Sequence, residues 1–278
     1  MTGISGTWDS IHSYCTLERT VMEEKFLKNG KAIFFAYDQG FEHGPTDFSD
    51  ELQNYDPAKI IEIAKEAGVF TALIFHEGVA QKYYPIGGLD ARSLPPLLLK
   101  LNGKTSFHKD EEPYSPQLCS VSEAIRIGAS GVGYTVYIGS EHEAKMMGEF
   151  SQIEDEAHEK GLIVTMWAYP RGKHVTGKET DKDTVAYGTR IAFEMGADFV
   201  KVPYTGNVES FSWVIKSAGK TKVLIQGGSK KSEEELLAEI KGAMEAGASG
   251  VAIGRNVWQS PDPVVMAKKI AGVVYGKL

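Results

Sequence analysis

Asp198-Phe199-Val200-Lys201-Val202-Pro203-Tyr204 reads as a buried strand with a cation inside it. The run is apolar on both sides of Lys201 rather than alternating, as in a parallel strand covered on both faces. An ammonium group is costly among apolar side chains. Desolvation lowers its pKa and leaves part of it as free amine, a nucleophile for carbonyl carbon. The plainer reading is a strand-end lysine whose stem packs while its head reaches water. Lys201 alone does not choose between them.

Seven more runs of the same kind accompany it. They are Lys31–Asp38, Phe70–Phe75, Pro96–Leu101, Gly131–Tyr137, Leu162–Trp167, Lys222–Ile225 and Gly250–Ile253. Between them the apolar spacing turns helical. Met146, Phe150, Ile153 and Ala157 follow one such pattern, and Leu236, Ile240, Ala243 and Gly247 another. Val264, Ala267, Ala271 and Val274 follow a third. Ser232 and Glu235 have capping-box spacing. Gly68, Gly128, Gly161, Gly196, Gly219 and Gly247 stand where helices should end. Eight β-α units with no break in composition predict an α/β fold: a single (βα)8 TIM barrel over residues 1–278. A doubly wound open sheet is the alternative, and eight units disfavour it. Residues 1–30 form a short N-terminal extension, with Leu17, Val21 and Glu24 at helical spacing.

The chain has 278 residues, a net charge of -7 and 42% hydrophobic residues. That length suits one barrel, and the charge argues against a general nucleic-acid binder. No run of eighteen apolar residues spans a membrane. Cys15 and Cys119 form no CxxC pair, so free thiols in a reducing cytoplasm are expected. The seven histidines show no HxH or HExxH spacing, so no metal is called for. No GxGxxG or GxxxxGK[ST] follows a strand, so no nucleotide cofactor is expected.

In such a barrel, function collects at the C-terminal strand ends. Asp38 ends strand one, and Gln39 to Pro45 follow. A carboxylate there can orient an amine, accept a proton or cap a turn. For His43, a loop histidine and a functional one are equally open. His76 and Glu77 read as a helix start without catalytic meaning. Lys100 and Asn102 lie on or after strand three. Trp167 and Tyr169 share a side if strand five continues, where a phenol can pass protons near Lys201. Gly227-Gly228-Ser229-Lys230 and Gly254-Arg255 follow the last two strands, where phosphate sites are frequent. Their joint occurrence favours phosphate over ordinary glycine turns.

Four motifs together resemble the archaeal-type class I fructose-bisphosphate aldolases. They are Ala36 to Pro45 (AYDQGFEHGP), Trp167 to Gly172 (WAYPRG), Lys201 to Gly206 (KVPYTG) and Gly254 to Gln259 (GRNVWQ). The resemblance runs from about Phe26 to Tyr275. It implies a metal-free lyase of glycolysis and gluconeogenesis that reversibly cleaves fructose 1,6-bisphosphate. It implies Lys201 as the imine-forming residue, Tyr169 as the proton-transfer residue and Asp38 as the carboxylate assisting carbinolamine chemistry. Trp167, Arg171 and His43 would line the substrate site. Gly227, Gly228, Ser229, Gly254 and Arg255 would hold a phosphate. The family forms ring-based homo-oligomers, often decamers. Gln39 and Ser229 depart from the family's frequent His and Pro. Related branches use the same lysine chemistry in aromatic precursor synthesis or signal-sugar breakdown. A phosphosugar-binding regulator without turnover is the non-enzymatic alternative, and intact Lys201, Tyr169 and Asp38 speak against it.

Overall fold

A computed structural model describes residues 21–85 and 93–276. Leu17, Cys15 and residues 87–92 lie outside the described residues; Val21 and Glu24 belong to a helical turn at 21–24. Eight parallel strands close into a barrel in sequence order. They are β1 (Ala32–Ala36), β2 (Ala72–His76), β3 (Leu97–Lys100), β4 (Gly131–Ile138), β5 (Ile163–Pro170), β6 (Phe199–Val202), β7 (Lys222–Gln226) and β8 (Gly250–Ile253). Each is followed by a principal helix on the outside. These are α1 (Pro57–Ala67), α2 (Glu77–Tyr83), α3 (Val121–Arg126), α4 (Glu143–Glu159), α5 (Lys182–Glu194), α6 (Val208–Ser217), α7 (Glu233–Glu245) and α8 (Pro263–Val274). The fold is therefore the expected (βα)8 barrel.

The apolar runs divide by strand period. Ala32, Phe34, Ala36, Ala72, Ile74, Leu98, Ile163, Trp167, Phe199, Leu224 and Ala252 form one buried cluster inside the barrel. The alternate residues, such as Ile33, Phe35, Leu73, Val164, Val200 and Val251, pack outward under the helices. Near-continuous apolar runs are thus the trace of two hydrophobic surfaces. On α4 the buried residues are Met146, Phe150, Ile153 and Ala157, as the spacing predicts. Ser232 caps α7 with Glu235 in a reciprocal box. The six inter-unit glycines all take φ between +59° and +105°.

From the N-terminal segment, Phe26 plugs the lower end. Its ring lies 5.8 Å from Phe34 and 6.4 Å from Phe199, and it is wholly buried. Above this plug the inward-facing series turns polar. Two residues beyond Leu98 and Phe199 stand Lys100 and Lys201. In register, Lys201 sits between Trp167 of β5 and Leu224 of β7. Lys100 sits between His76 of β2 and Gly133 of β4. The apolar floor and the polar mouth are one periodic pattern, with only residue type changing along the axis.

Strand β5 runs three residues further than its apolar stretch suggests. It pairs with β4 from Ile163 to Pro170, opposite Gly131 to Ile138. The longer ladder carries Tyr169 on the strand, on the same side as Trp167. Room for the indole comes from Gly133. A Cβ there would lie 2.0 Å from a Trp167 ring carbon and 2.9 Å from Leu98. Gly133→Ala should therefore overpack the barrel and lower stability by roughly 1–3 kcal/mol. Calorimetric melting should show a drop of several degrees. An unchanged melting temperature would mean the indole is not seated against β4.

Candidate active site

The strand ends converge on one cavity at the C-terminal mouth. Its lining includes Asp38, His43, His76, Lys100, Tyr137, Trp167, Tyr169, Arg171, Lys201, Gly227, Gly228, Gly254 and Arg255. Residues more than two hundred positions apart in sequence face the same space.

Lys201 is 7% exposed, and its Nζ lies 5.3 Å from the centroid of the Trp167 ring. Among the described residues its amine has no hydrogen-bond acceptor. Burial lowers its pKa, and the Arg255 and Arg171 guanidinium groups push the same way. Asp38 and Glu42 oppose them. The net direction is toward free amine at neutral pH. The cavity thus holds, buried, the amine that the sequence of β6 singles out.

A second lysine shares the indole. Lys100 Nζ is also 5.3 Å from the Trp167 ring centroid, and the residue is 5% exposed. Unlike Lys201, it is anchored. It donates to the Asn102 carbonyl at 2.8 Å and to Asn102 Oδ1 at 2.6 Å. Asn102 is fixed in turn: its Nδ2 donates to the carbonyls of Ser115 and Thr135, each at 2.9 Å. The Thr135 N–H donates back to Asn102 Oδ1 at 2.8 Å. Two acceptors favour the charged form of Lys100, while burial lowers its pKa to about 8. Hydrogen bonding therefore separates two buried lysines: one is tethered by two acceptors, and the other has none among the described residues.

The remaining titratable groups are set by burial. Desolvation and the nearby Asp38 hold the Tyr169 phenol well above its ordinary range, so it keeps its proton. Desolvation, reinforced by the Lys100 charge, lowers His76 to about 4 and keeps its ring neutral at pH 7. Arg171 Nη1 donates to Glu42 Oε1 at 2.9 Å, tying the end of β5 to the loop after β1. Its guanidinium lies over the rings of Tyr137 and Tyr169.

Asn256 assembles the glycine turns. Its Nδ2 donates to the carbonyls of Gly227 at 2.8 Å and Ser229 at 2.9 Å. The Lys231 N–H donates to its Oδ1 at 2.9 Å. Those bonds hold the β7 loop against the β8 loop. Gly228 takes φ +67, a conformation costly for residues with a Cβ. Gly254 approaches β1 closely, since a Cβ there would stand 2.3 Å from the Ala36 carbonyl. Arg255 Nη1 is 3.6 Å from Asp47 Oδ2, and His43 Nδ1 is 3.9 Å from the same oxygen. The start of α7 contributes little positive potential. Ser232 and Glu235 fill its capping positions, and three glutamates occupy its first turn. Any anion held here would rest on loop amides and Arg255.

Of the residues singled out at the strand ends, Glu77, Ser229 and Lys230 are absent from the cavity lining; the Ser229 carbonyl is used by Asn256. His43 stands at the rim, half-buried. His76 is more than a helix start, because it ends β2 inside the cavity. The sequence reading gave no role to Lys100, Glu42 or Asn256. Lys100 had a legible signal, a cation in the apolar Pro96–Leu101 run, equal to that of Lys201. Glu42 and Asn256 carried none, since their partners are distant in sequence. Among the described residues, no three His, Cys, Asp or Glu side chains group as metal ligands.

A barrel with an acceptor-free lysine on β6 and a protonated tyrosine on β5 defines an imine-forming class of enzyme. Residues 32–260 match the DeoC/LacD family aldolase model. The chain belongs to this family. It is 47% identical over 260 residues to the class 1 fructose-bisphosphate aldolase of Thermoproteus tenax, covering 92% of this chain and 95% of that one. It is 41% identical over 259 residues to the class 1 fructose-bisphosphate aldolase of Halobacterium salinarum, covering 92% and 95%. The structure of an archaeal fructose-1,6-bisphosphate aldolase, its catalytic lysine covalently bound to the carbinolamine intermediate, superposes with a TM-score of 0.86. That pair is 45% identical and covers 93% of this chain and 100% of the other.

The charges around Lys201 predict how its reactivity shifts with pH. A lowered pKa means free amine accumulates at lower pH than for an exposed lysine. Replacing Asp38 with Asn removes a charge that raises that pKa. The rising limb of amine reactivity should then move to lower pH. Arg255→Gln removes a charge that lowers it and should move the limb to higher pH. Imine formation with 2,4-pentanedione, followed by absorbance across pH, measures both. Shifts of the opposite sign would contradict this electrostatic arrangement.

Proposed function

We propose that this chain is a class I, Schiff-base fructose-bisphosphate aldolase. It would reversibly cleave fructose 1,6-bisphosphate to dihydroxyacetone phosphate and glyceraldehyde 3-phosphate. The observation that carries this reading is the amine of Lys201, buried beside Trp167 within a mouth that also holds Tyr169, Asp38 and two glycine turns. The relatives above, aldolases of that name over most of both chains, support the same substrate.

The residues take these roles. The Lys201 amine attacks the C2 ketone and forms a carbinolamine. Asp38 assists the proton movements that expel water and leave a protonated imine. The C4 hydroxyl loses its proton, and the C3–C4 bond breaks. Its electron pair passes to the imine nitrogen, giving an enamine, and the aldehyde half departs as glyceraldehyde 3-phosphate. Tyr169, which keeps its proton at neutral pH, delivers it to C3. Hydrolysis of the regenerated imine frees dihydroxyacetone phosphate and Lys201. Gly227, Gly228, Gly254 and Arg255 hold the phosphate of the ketone half, next to β6. Ser229 adds a contact only at the edge of that cradle. Trp167 and Arg171 line the path of the sugar, and His43 closes its rim.

Residues 1–278 are read as one catalytic domain, metal-independent and working in the cytoplasm in glycolysis or gluconeogenesis. A homo-oligomer is part of this reading, a decamer being the form the family suggests. Tyr187 on α5 and Trp213 on α6 give such an assembly an exposed aromatic surface. Among the described residues no helix is long and apolar enough to cross a membrane.

The deciding assay is cleavage of fructose 1,6-bisphosphate in the presence of EDTA. Wild-type protein should retain full activity, and Lys201→Ala should lose at least a thousandfold in kcat. Loss of wild-type activity in EDTA would point to metal chemistry. Phosphosugar binding without cleavage would favour a regulator.

A further inference from the structure

Lys100 is a buried ammonium with an unfinished set of partners. An ammonium has three N–H donors. Two are taken by the carbonyl and Oδ1 of Asn102. The residue is 5% exposed and lines the cavity, so the third donor has only the cavity in which to find an acceptor. Leaving a buried charged donor unfilled is costly. Asn102 cannot relax toward it, because Ser115, Thr135 and Lys100 already use its side chain.

Its position says which part of a ligand supplies the acceptor. In the closed strand order, β3 lies across the barrel from β7. The glycine cradle after β7 and β8 and the amine on β6 occupy the far side. A ketose phosphate with its phosphate in that cradle and its carbonyl carbon at Lys201 extends its remaining carbons toward β1–β4. Each lysine Nζ is 5.3 Å from the same indole centroid, so the two nitrogens are separated by no more than twice that distance. Both nitrogens therefore flank one ring, and a sugar bonded at one can present a hydroxyl to the other. Around this point stand Asp38 and Glu42 from the β1 loop, His76 from β2 and Lys201 from β6, the charged and titratable groups that act on Lys100. A pKa of about 8 keeps Lys100 mostly protonated at neutral pH.

We infer that Lys100 is a second substrate-contacting lysine, whose free N–H donates to a hydroxyl oxygen of the half of the sugar that leaves as aldehyde. It forms no bond to carbon. Its charge steadies the oxygen that loses its proton as the carbon–carbon bond breaks. This rests on the aldolase reading above and deepens it by naming the contact that recognises the departing half.

The test separates that half from the ketone half. Lys100→Met and Lys100→Arg are compared with wild type in two assays. One is cleavage of fructose 1,6-bisphosphate. The other is borohydride trapping of dihydroxyacetone phosphate, which lacks the departing carbons, read as added mass on the intact protein. Lys100→Met should lose at least a hundredfold in kcat/KM for cleavage, yet trap within a few-fold of wild type. Lys100→Arg should recover part of the cleavage. Cleavage by Lys100→Met within threefold of wild type would overturn the inference. So would parallel loss of cleavage and trapping, which would make Lys100 a packing residue for Trp167. Wild-type protein that neither cleaves nor traps would sink the aldolase reading itself.

Discussion

An amine buried with no acceptor among the described residues is the constraint on which the mouth of this barrel is built. Lys201 sits where the inward-facing residues of β6 would otherwise continue as apolar floor. Every neighbouring charge acts on it. Arginines just after β5 and β8 press it toward neutrality, and carboxylates on the β1 loop hold it back. Trp167 covers one side, and the bare Cα of Gly133 leaves room for that indole.

Lys100 shows the opposite solution at the same depth. It has the same indole neighbour and comparable burial, but two acceptors from a rigid asparagine. The contrast gives the two lysines of one cavity different surroundings. It also explains the hydrogen-bond effort spent on Asn102, which joins β3 to β4 and to the loop carrying Ser115. Asn256 does the equivalent work on the other side, joining the β7 and β8 loops. Two buried asparagines, neither obvious in the sequence, set the geometry of the two sides of the site.

The barrel was legible because its signals are local. Eight near-continuous apolar runs, helical spacing between them and a glycine at six of the junctions identify βα units one at a time, and all eight strands lie where those runs fall. Lys201, Tyr169, Asp38 and the glycine turns were legible because strand ends are where such a fold does chemistry. The remainder depended on distance. Pairing between β4 and β5 extends β5 to Pro170, and the apolar stretch of β5 alone does not reveal it. The bonds of Asn256 and the pair between Glu42 and Arg171 span tens to more than a hundred residues. His76 looked like a helix start because the sequence places it beside Glu77, while the fold turns it into the cavity. Lys100 carried the same local signal as Lys201 and gained its meaning only from the hydrogen bonds that tether it.

Two acceptors at Lys100 and none among the described residues at Lys201 predict which lysine reacts. Wild-type protein incubated with dihydroxyacetone phosphate, reduced with borohydride and digested should yield one modified peptide in mass spectrometry. The added mass should fall on Lys201, with the Lys100 peptide unmodified. Label on Lys100, or on both lysines in similar amounts, would contradict the account.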